Sequence, residues 1–301
     1  MTRTSGPVAP LATPVLLPEG LDVAEIDAVV DRALDEDLRD GPDRTTAACV
    51  PPGAVAVGEF RTRPPGTLAG VGVAVRVLER VCGPDLEVLD VRDDGSRLAA
   101  GEVALAVRAP LTTLLTAERT ALNLLCQLSG VATATSAWVD AVAGTRARIR
   151  DTRKTVPGLR ALQKYAVRAG GGVNHRMSLG DALLIKDNHV AAAGSVTAAV
   201  RAARAAAPEL PCELEVDSFD QLDEALGLGL ELILLDNFTA DECAEAVRRR
   251  DAAAPGCGLE ASGGLTLDTA AAYGAAGVDF LAVGGLTHSS PALDLGLDLR
   301  T

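Results

Sequence analysis

The sequence predicts an α/β fold: a C-terminal parallel α/β barrel, TIM-like and either complete or incomplete, preceded by an N-terminal α+β open-sandwich domain. Three observations predict it. Before residue 110 the chain carries short alternating runs between turn formers, after a long helical pattern it becomes strand, helix, strand, and each later strand ends on a polar residue or a glycine. Short buried strands that alternate with helices imply parallel pairing, because a parallel crossover needs a helix to return the chain.

Residues 1–18 contain four prolines and apolar fragments too short for a secretory h-region, so a loose leader is expected there. Apolar positions at helical spacing follow from Leu21 to Leu38, namely Leu21, Ile26, Val29, Val30, Ala33 and Leu34. Between Ala54 and Ala109 the runs Val55–Phe60, Leu86–Val91 and Val103–Val107 are punctuated by Pro-Pro-Gly, Gly-Pro-Asp and Asp-Asp-Gly, which reads as an antiparallel unit. Thr116 is the expected cap of a long connecting helix from Ala117 onward, with Glu118 in its first turn and Leu122, Leu125, Cys126 and Val131 on one face. The expected domains are therefore 19–130 and a barrel over 131–288, with a tail, 289–301, packing back on the N-terminal domain.

In the barrel the predicted strands are Ala147–Arg150, Ala182–Ile185, Cys212–Val216, Leu232–Leu235, Gly258–Ala261 and Phe280–Val283. Helical segments Val196–Ala207, Phe219–Leu226, Ala240–Arg250 and Leu267–Ala276 fall between them.

Composition bounds the function. With 48% apolar residues the chain can bury a large core, yet no apolar run approaches the roughly 20 residues of a membrane span. Six cysteines show no C-x-x-C spacing, which predicts free thiols in a reducing cytoplasm. A formal charge of −13 with only 2% aromatics argues against nucleic-acid binding, which favours a basic face and stacking platforms.

Against that acidic background, Asp151–His189 gathers seven Lys/Arg with three Asp and two of the three histidines. Arg153-Lys154 alone would read as a solvated loop. Joined by His175-Arg176 and Lys186, it reads as a pocket for a small, multiply charged anion, since clustered cations need a dense negative charge to be tolerable. The later strands end at Lys186, Glu215, Asp236, Ser262 and Gly284-Gly285, about one βα unit apart. In a parallel barrel these ends ring one cavity.

Glu215 and Asp236 suit Mg²⁺, held partly through waters and phosphate oxygens, or the hydroxyls of a ribose. The turns Ser262-Gly263-Gly264 and Val283-Gly284-Gly285 suit a phosphate monoester, because backbone N–H groups aimed by a helix start bind anions. No G-x-S-x-G, H-E-x-x-H, Walker A or dinucleotide fingerprint is present. Lys186 as a Schiff-base lysine, a binding barrel without activity, and transfer to a planar monocarboxylate such as nicotinate stand as alternatives.

These residues carry a resemblance. The chain from Leu21 onward is similar to the quinolinate phosphoribosyltransferases in Glu36-Asp37-Leu38, Asp43-Arg44-Thr45-Thr46, Ala117-Glu118-Arg119-Thr120-Ala121-Leu122-Asn123, Asp151-Thr152-Arg153-Lys154-Thr155, Leu184-Ile185-Lys186-Asp187-Asn188-His189 and the two glycine turns. The resemblance implies transfer of phosphoribosyl from phosphoribosyl diphosphate to quinolinate, with release of diphosphate and CO₂, in NAD biosynthesis. It assigns quinolinate to Arg119, Thr152, Arg153, Lys154, His175, Arg176 and Lys186, and the phosphoribosyl donor to Glu215, Asp236, Ser262, Gly263, Gly264, Val283, Gly284 and Gly285. Catalytic roles fall to Lys154, Lys186, Glu215 and Asp236, with Mg²⁺ at the last two. It further implies a homodimer in which Arg119 enters the partner's site, and leaves open whether dimers assemble further, as in a hexamer. Val156 and Gly285 depart from the threonine and alanine frequent there; neither removes a reactive side chain.

Overall fold

A computed structural model describes residues 20–300; the leader expected over 1–18 lies outside them. In chain order the first elements are α1 (Val23–Asp37), α2 (Arg44–Cys49), β1 (Val55–Thr62), β2 (Gly66–Thr67), α3 (Val71–Cys82), β3 (Glu87–Val91), β4 (Arg97–Leu98), β5 (Val103–Pro110) and the 31-residue α4 (Leu111–Ala141). Then come β6 (Arg148–Arg150), α5 (Arg160–Ala169), β7 (Leu183–Ile185), α6 (Asp187–Ala193), α7 (Val196–Ala206), β8 (Cys212–Val216) and α8 (Phe219–Leu226). The last are β9 (Leu232–Asp236), α9 (Ala240–Ala253), β10 (Gly258–Ser262), α10 (Leu267–Ala275), β11 (Phe280–Ala282), α11 (Gly285–His288) and β12 (Leu295–Arg300). They form two compact units: one holds the chain through Ala134, residues 156–170 and the chain from Ser289; the other holds Thr135–Thr155 and Gly171–His288.

The first unit is built on an antiparallel sheet in the order β12-β1-β5-β3. The C-terminal strand β12 pairs with β1 along its length, from Val57 opposite Arg300 to Thr62 opposite Leu295. Two features differ from the sequence reading. Residues 71–82, inside the stretch read as strands, form helix α3, with Val73, Ala74, Val77 and Leu78 fully buried. Their β-branched composition favours a strand, but burial decides, and the Asp94 carboxylate accepts from the N–H groups of Gly70 and Val71 to cap the helix from 24 residues away. The connecting helix begins at Leu111, directly after β5, rather than behind Thr116. Thr116 lies inside it, its hydroxyl donating to the Thr112 carbonyl at 2.9 Å.

The second unit holds a six-stranded parallel sheet in the order β6-β11-β10-β9-β8-β7. From β7 to β11 each strand neighbours the next in sequence, and β6, the first, pairs with β11, the last, which is the order of a barrel; the gap falls between β6 and β7. An isolated parallel bridge from Arg150 to Val173 extends the β6 edge into that gap. The expected barrel is therefore present in its incomplete form. Successive side chains point to opposite faces of each strand. Leu214, Ile233, Leu235, Leu259 and Leu281 are wholly buried on the helix-covered face, and every second residue between them faces the interior of the sheet.

Candidate active site

The interior face opens at the C-terminal ends of the strands into a cavity of about 490 Å³. Thr152, Arg153 and Lys154 enter it after β6, His175 and Arg176 from the segment before β7, Lys186 after β7, Glu215 from β8, Asp236 from β9 and Ser262 from β10. Nine of the residues singled out from the sequence thus line one space, with Leu184, Leu234 and Ala282 as its apolar wall. The parallel register explains the convergence: Asp236 lies opposite Ser262 and Ser262 opposite Ala282, so equivalent strand ends reach the same level.

The cations are held in distinct ways. The Lys186 ammonium pairs with the Glu215 carboxylate, while the Lys186 N–H donates to His189 Nδ1 at 2.9 Å, fixing the start of α6. Its partner is a carboxylate, which is not the apolar surrounding that a Schiff-base lysine needs. The Lys154 N–H donates to the Thr152 hydroxyl at 3.0 Å, and the Lys154 carbonyl accepts from the Thr287 hydroxyl at 2.8 Å. That second bond ties the loop after β6 to α11. Burial, and then the neighbouring Arg153, pull the Arg176 guanidinium below its ordinary pKa. A cavity that disfavours its own cations is one that an anion relieves.

The glycine turns flank the cavity. At Gly284 a Cβ would lie 3.1 Å from Lys154 Cδ and 3.3 Å from His288 Nε2, so the missing side chain admits the lysine stem. Gly263 has φ +88°, and a Cβ there would stand 2.2 Å from Asn237 Oδ1. Asn237 donates its N–H to the Ser262 carbonyl at 2.8 Å, which knits the ends of β9 and β10. Of the two turns only Ser262 lines the cavity; Gly263, Gly264, Val283, Gly284 and Gly285 do not, and Val283 is buried. Nothing lies within 4 Å of a Cβ at Gly285, so an alanine would fit there.

Arg119 is in the other unit, on α4; its side chain is 64% exposed and lies 3.9 Å from Glu118. Sequence reasoning missed three inward-facing side chains: Glu260, which lines the cavity, and Arg150 and Glu213, which stand beside it. Arg150 Nη1 donates to Glu260 Oε2 at 2.6 Å and stands 4.0 Å from Glu213. Burial and then the Glu213 carboxylate push the Glu260 carboxyl above its ordinary range. Strand periodicity could have found two of them, since Glu213 precedes Glu215, and Glu260 precedes Ser262, by two residues.

Glu215 and Asp236 present carboxylates on adjacent strands to one cavity, with Asp236 Oδ2 accepting from Asn237 Nδ2 at 2.8 Å. One or two carboxylates beside a space for waters and phosphate oxygens form a donor set that fits Mg²⁺. The thiols contribute nothing here: Cys82, Cys212, Cys243 and Cys257 are buried, and burial pushes Cys243 up to about 12 and Cys257 up to about 11.

The chain matches the models of the quinolinate phosphoribosyl transferase N-terminal domain over residues 43–129 and C-terminal domain over residues 131–298. It is 62% identical over 283 residues to the nicotinate-nucleotide pyrophosphorylase [carboxylating] of Mycobacterium leprae, covering 93% of this chain and 100% of the relative. The corresponding protein of Homo sapiens is 38% identical over 275 residues, 90% of this chain and 91% of its own. The solved structure of the nicotinate-nucleotide pyrophosphorylase from Francisella tularensis superposes with a TM-score of 0.88 at 32% identity, covering 93% of this chain and 98% of that one. With both domain models matched in order and a relative 62% identical over 93% of this chain, the chain belongs to the quinolinate phosphoribosyltransferase family.

Proposed function

We propose that this protein is a pentosyltransferase that moves phosphoribosyl from phosphoribosyl diphosphate to quinolinate with loss of CO₂, giving nicotinate mononucleotide and diphosphate for NAD biosynthesis. The observation that carries this reading is the division of one cavity into a cationic side, Arg153, Lys154, Arg176 and Lys186, and a carboxylate side, Glu215 and Asp236. Two carboxylates on a planar ring call for several cations; a nicotinate monoanion does not.

The pyridine nitrogen is the nucleophile, so no protein nucleophile is required. Arg153, Lys154, Arg176 and Lys186, with Thr152, orient the dianion so that this nitrogen faces the anomeric carbon. As diphosphate leaves, positive charge grows on the ribose, and Glu215 and Asp236 stabilise it and hold the hydroxyls. Ser262 and the turns at Gly263-Gly264 and Val283-Gly284-Gly285 take the 5′-phosphate. Glu215 and Asp236 would also hold Mg²⁺, which supplies charge neutralisation of the departing diphosphate. Once alkylated, the cationic ring nitrogen stabilises the electron pair that stays on the adjacent carbon as CO₂ leaves. A proton from solvent then completes the C–H bond of nicotinate mononucleotide, and Lys154 and Lys186 need only orient the carboxylate without over-stabilising it.

The exposed Arg119 supports a homodimer in which it completes the partner's site, with a hexamer as an assembly of such dimers. Six free thiols fit the cytoplasm. Incubation with quinolinate, phosphoribosyl diphosphate and Mg²⁺ should release CO₂ and nicotinate mononucleotide in equal amounts; failure to release both sinks the reading. Mixing inactive Arg119→Ala and Lys154→Ala proteins should restore activity, and no recovery would count against the shared site.

A further inference from the structure

Parallel barrels fill their interior with layers of side chains from alternate strands, usually bulky aliphatics. Here the layer at the cavity floor is ionic: Arg150 on β6, Glu213 on β8 and Glu260 on β10, all inward-facing, beside His175. Glu213, Glu260 and His175 are 5%, 0% and 7% exposed. Burying such groups in place of leucine costs several kcal/mol per ion before pairing, so the layer calls for a role that aliphatics could not fill.

The hydrogen bonds assign one. Glu213 Oε2 lies 3.0 Å from His175 Nε2, and His175 Nδ1 accepts the Arg176 N–H at 2.7 Å. An Nδ1 that accepts carries no proton, so Nε2 holds the hydrogen and donates it to Glu213. On the other side, Asp151 Oδ1 accepts the His175 N–H at 2.8 Å, and Arg176 Nη1 donates to the Ala182 carbonyl at 3.0 Å. His175 Nε2, Glu213 and Glu260 offer ligand atoms within 4.8 Å of one another. The cation of that cluster, however, is the Arg150 guanidinium, which bonds Glu260 and stands beside Glu213.

We propose that Glu213 is a positioning residue for the dicarboxylate substrate: it locks His175 as the Nε2–H tautomer, and through Nδ1 and the Arg176 N–H it fixes where Arg176 enters the cavity. Arg150, bonded to Glu260 at 2.6 Å, stands 4.0 Å from Glu213 and balances its charge. The inference rests on the quinolinate reading for its kinetic test, but its tautomer test is independent of any substrate.

Three histidines make that test simple. With ¹⁵N-labelled imidazoles at about pH 8, the resonance lost in His175→Gln should belong to a neutral Nε2–H ring in the wild type. An Nδ1–H ring or an imidazolium there overturns the proposal. Glu213→Gln keeps an acceptor, and should keep the tautomer and hold the KM for quinolinate within about threefold. Glu213→Leu should lose the tautomer and raise that KM by about tenfold, short of the roughly 100-fold that a 1 Å misplacement costs, with the KM for phosphoribosyl diphosphate unchanged. A folded Glu213→Leu with an unchanged quinolinate KM overturns the proposal; if it does not fold, the wild-type and Glu213→Gln spectra decide. A wild type that does not consume quinolinate would end the functional reading and leave the tautomer test standing.

Discussion

The two faces of the parallel sheet are made from alternate residues of the same strands and have opposite chemistry. On β8, Leu214 and Val216 turn under α7 and α8, while Glu213 and Glu215 turn inward. On β10, Leu259 and Ala261 are buried on the helix side, while Glu260 and Ser262 face the interior. The outward face is interchangeable packing, since any well-fitting apolar side chain satisfies it. The inward face is specific, since each charge there has a named partner or faces the cavity. Stability and activity are thus written into alternate residues, and substitution should separate them.

The largest expected effect is on the inward face. Glu215→Ala or Asp236→Ala should lower kcat by about 10²–10³-fold, the cost of losing one preorganised charge at a developing cation, with little change in melting temperature. A comparable loss of stability would show that the faces are not separable. Next is the outward face: Leu235, fully buried, when changed to alanine should destabilise the fold by about 3 kcal/mol in urea unfolding, with kcat/KM of the folded protein unchanged. A fall in kcat/KM beyond about threefold would break the comparison.

A smaller effect belongs to the helices that cover the outward face. The Thr239 hydroxyl accepts the Glu242 N–H at 3.3 Å and the Thr239 N–H donates to Glu242 at 2.8 Å, so Thr239→Ala should cost about 1 kcal/mol by uncapping α9. The smallest lies in the other unit, where the Arg76 guanidinium, bonded to Asp27 at 2.7 and 2.9 Å, holds that carboxyl below 3.8. Because the folded pKa is depressed, this contribution is present above the unfolded pKa and is lost as pH falls through the folded one. Asp27→Asn should therefore reduce stability by about 0.5 kcal/mol near neutrality, with a shallower loss in acid. Equal acid limbs in both proteins would remove the pair from the account.

Legibility followed the range of the physics. The strand runs from Cys212 and Gly258 and the helix Phe219–Leu226 were readable because burial repeats locally with period 2 or 3.6. Helix α3 was not, because its β-branched residues are helical only in the core that surrounds them, under a cap that Asp94 supplies from a distant loop. The cavity residues at strand ends were readable, because polar residues that close apolar runs stand out. Glu213 and Glu260 carried a weaker signal, the period of two that puts them on the face of Glu215 and Ser262, whereas nothing local shows that Arg150 meets them.

By itself the sequence determined the alternation of strand and helix, the polar strand ends and the motifs of the family, all properties of neighbouring residues along the chain. Only the tertiary structure decided which face of each strand turned inward, and so which charges met. Arg150, Glu213 and Glu260 are far apart in sequence, and their meeting depends on the parallel register of six strands and on the helices that claim the opposite face.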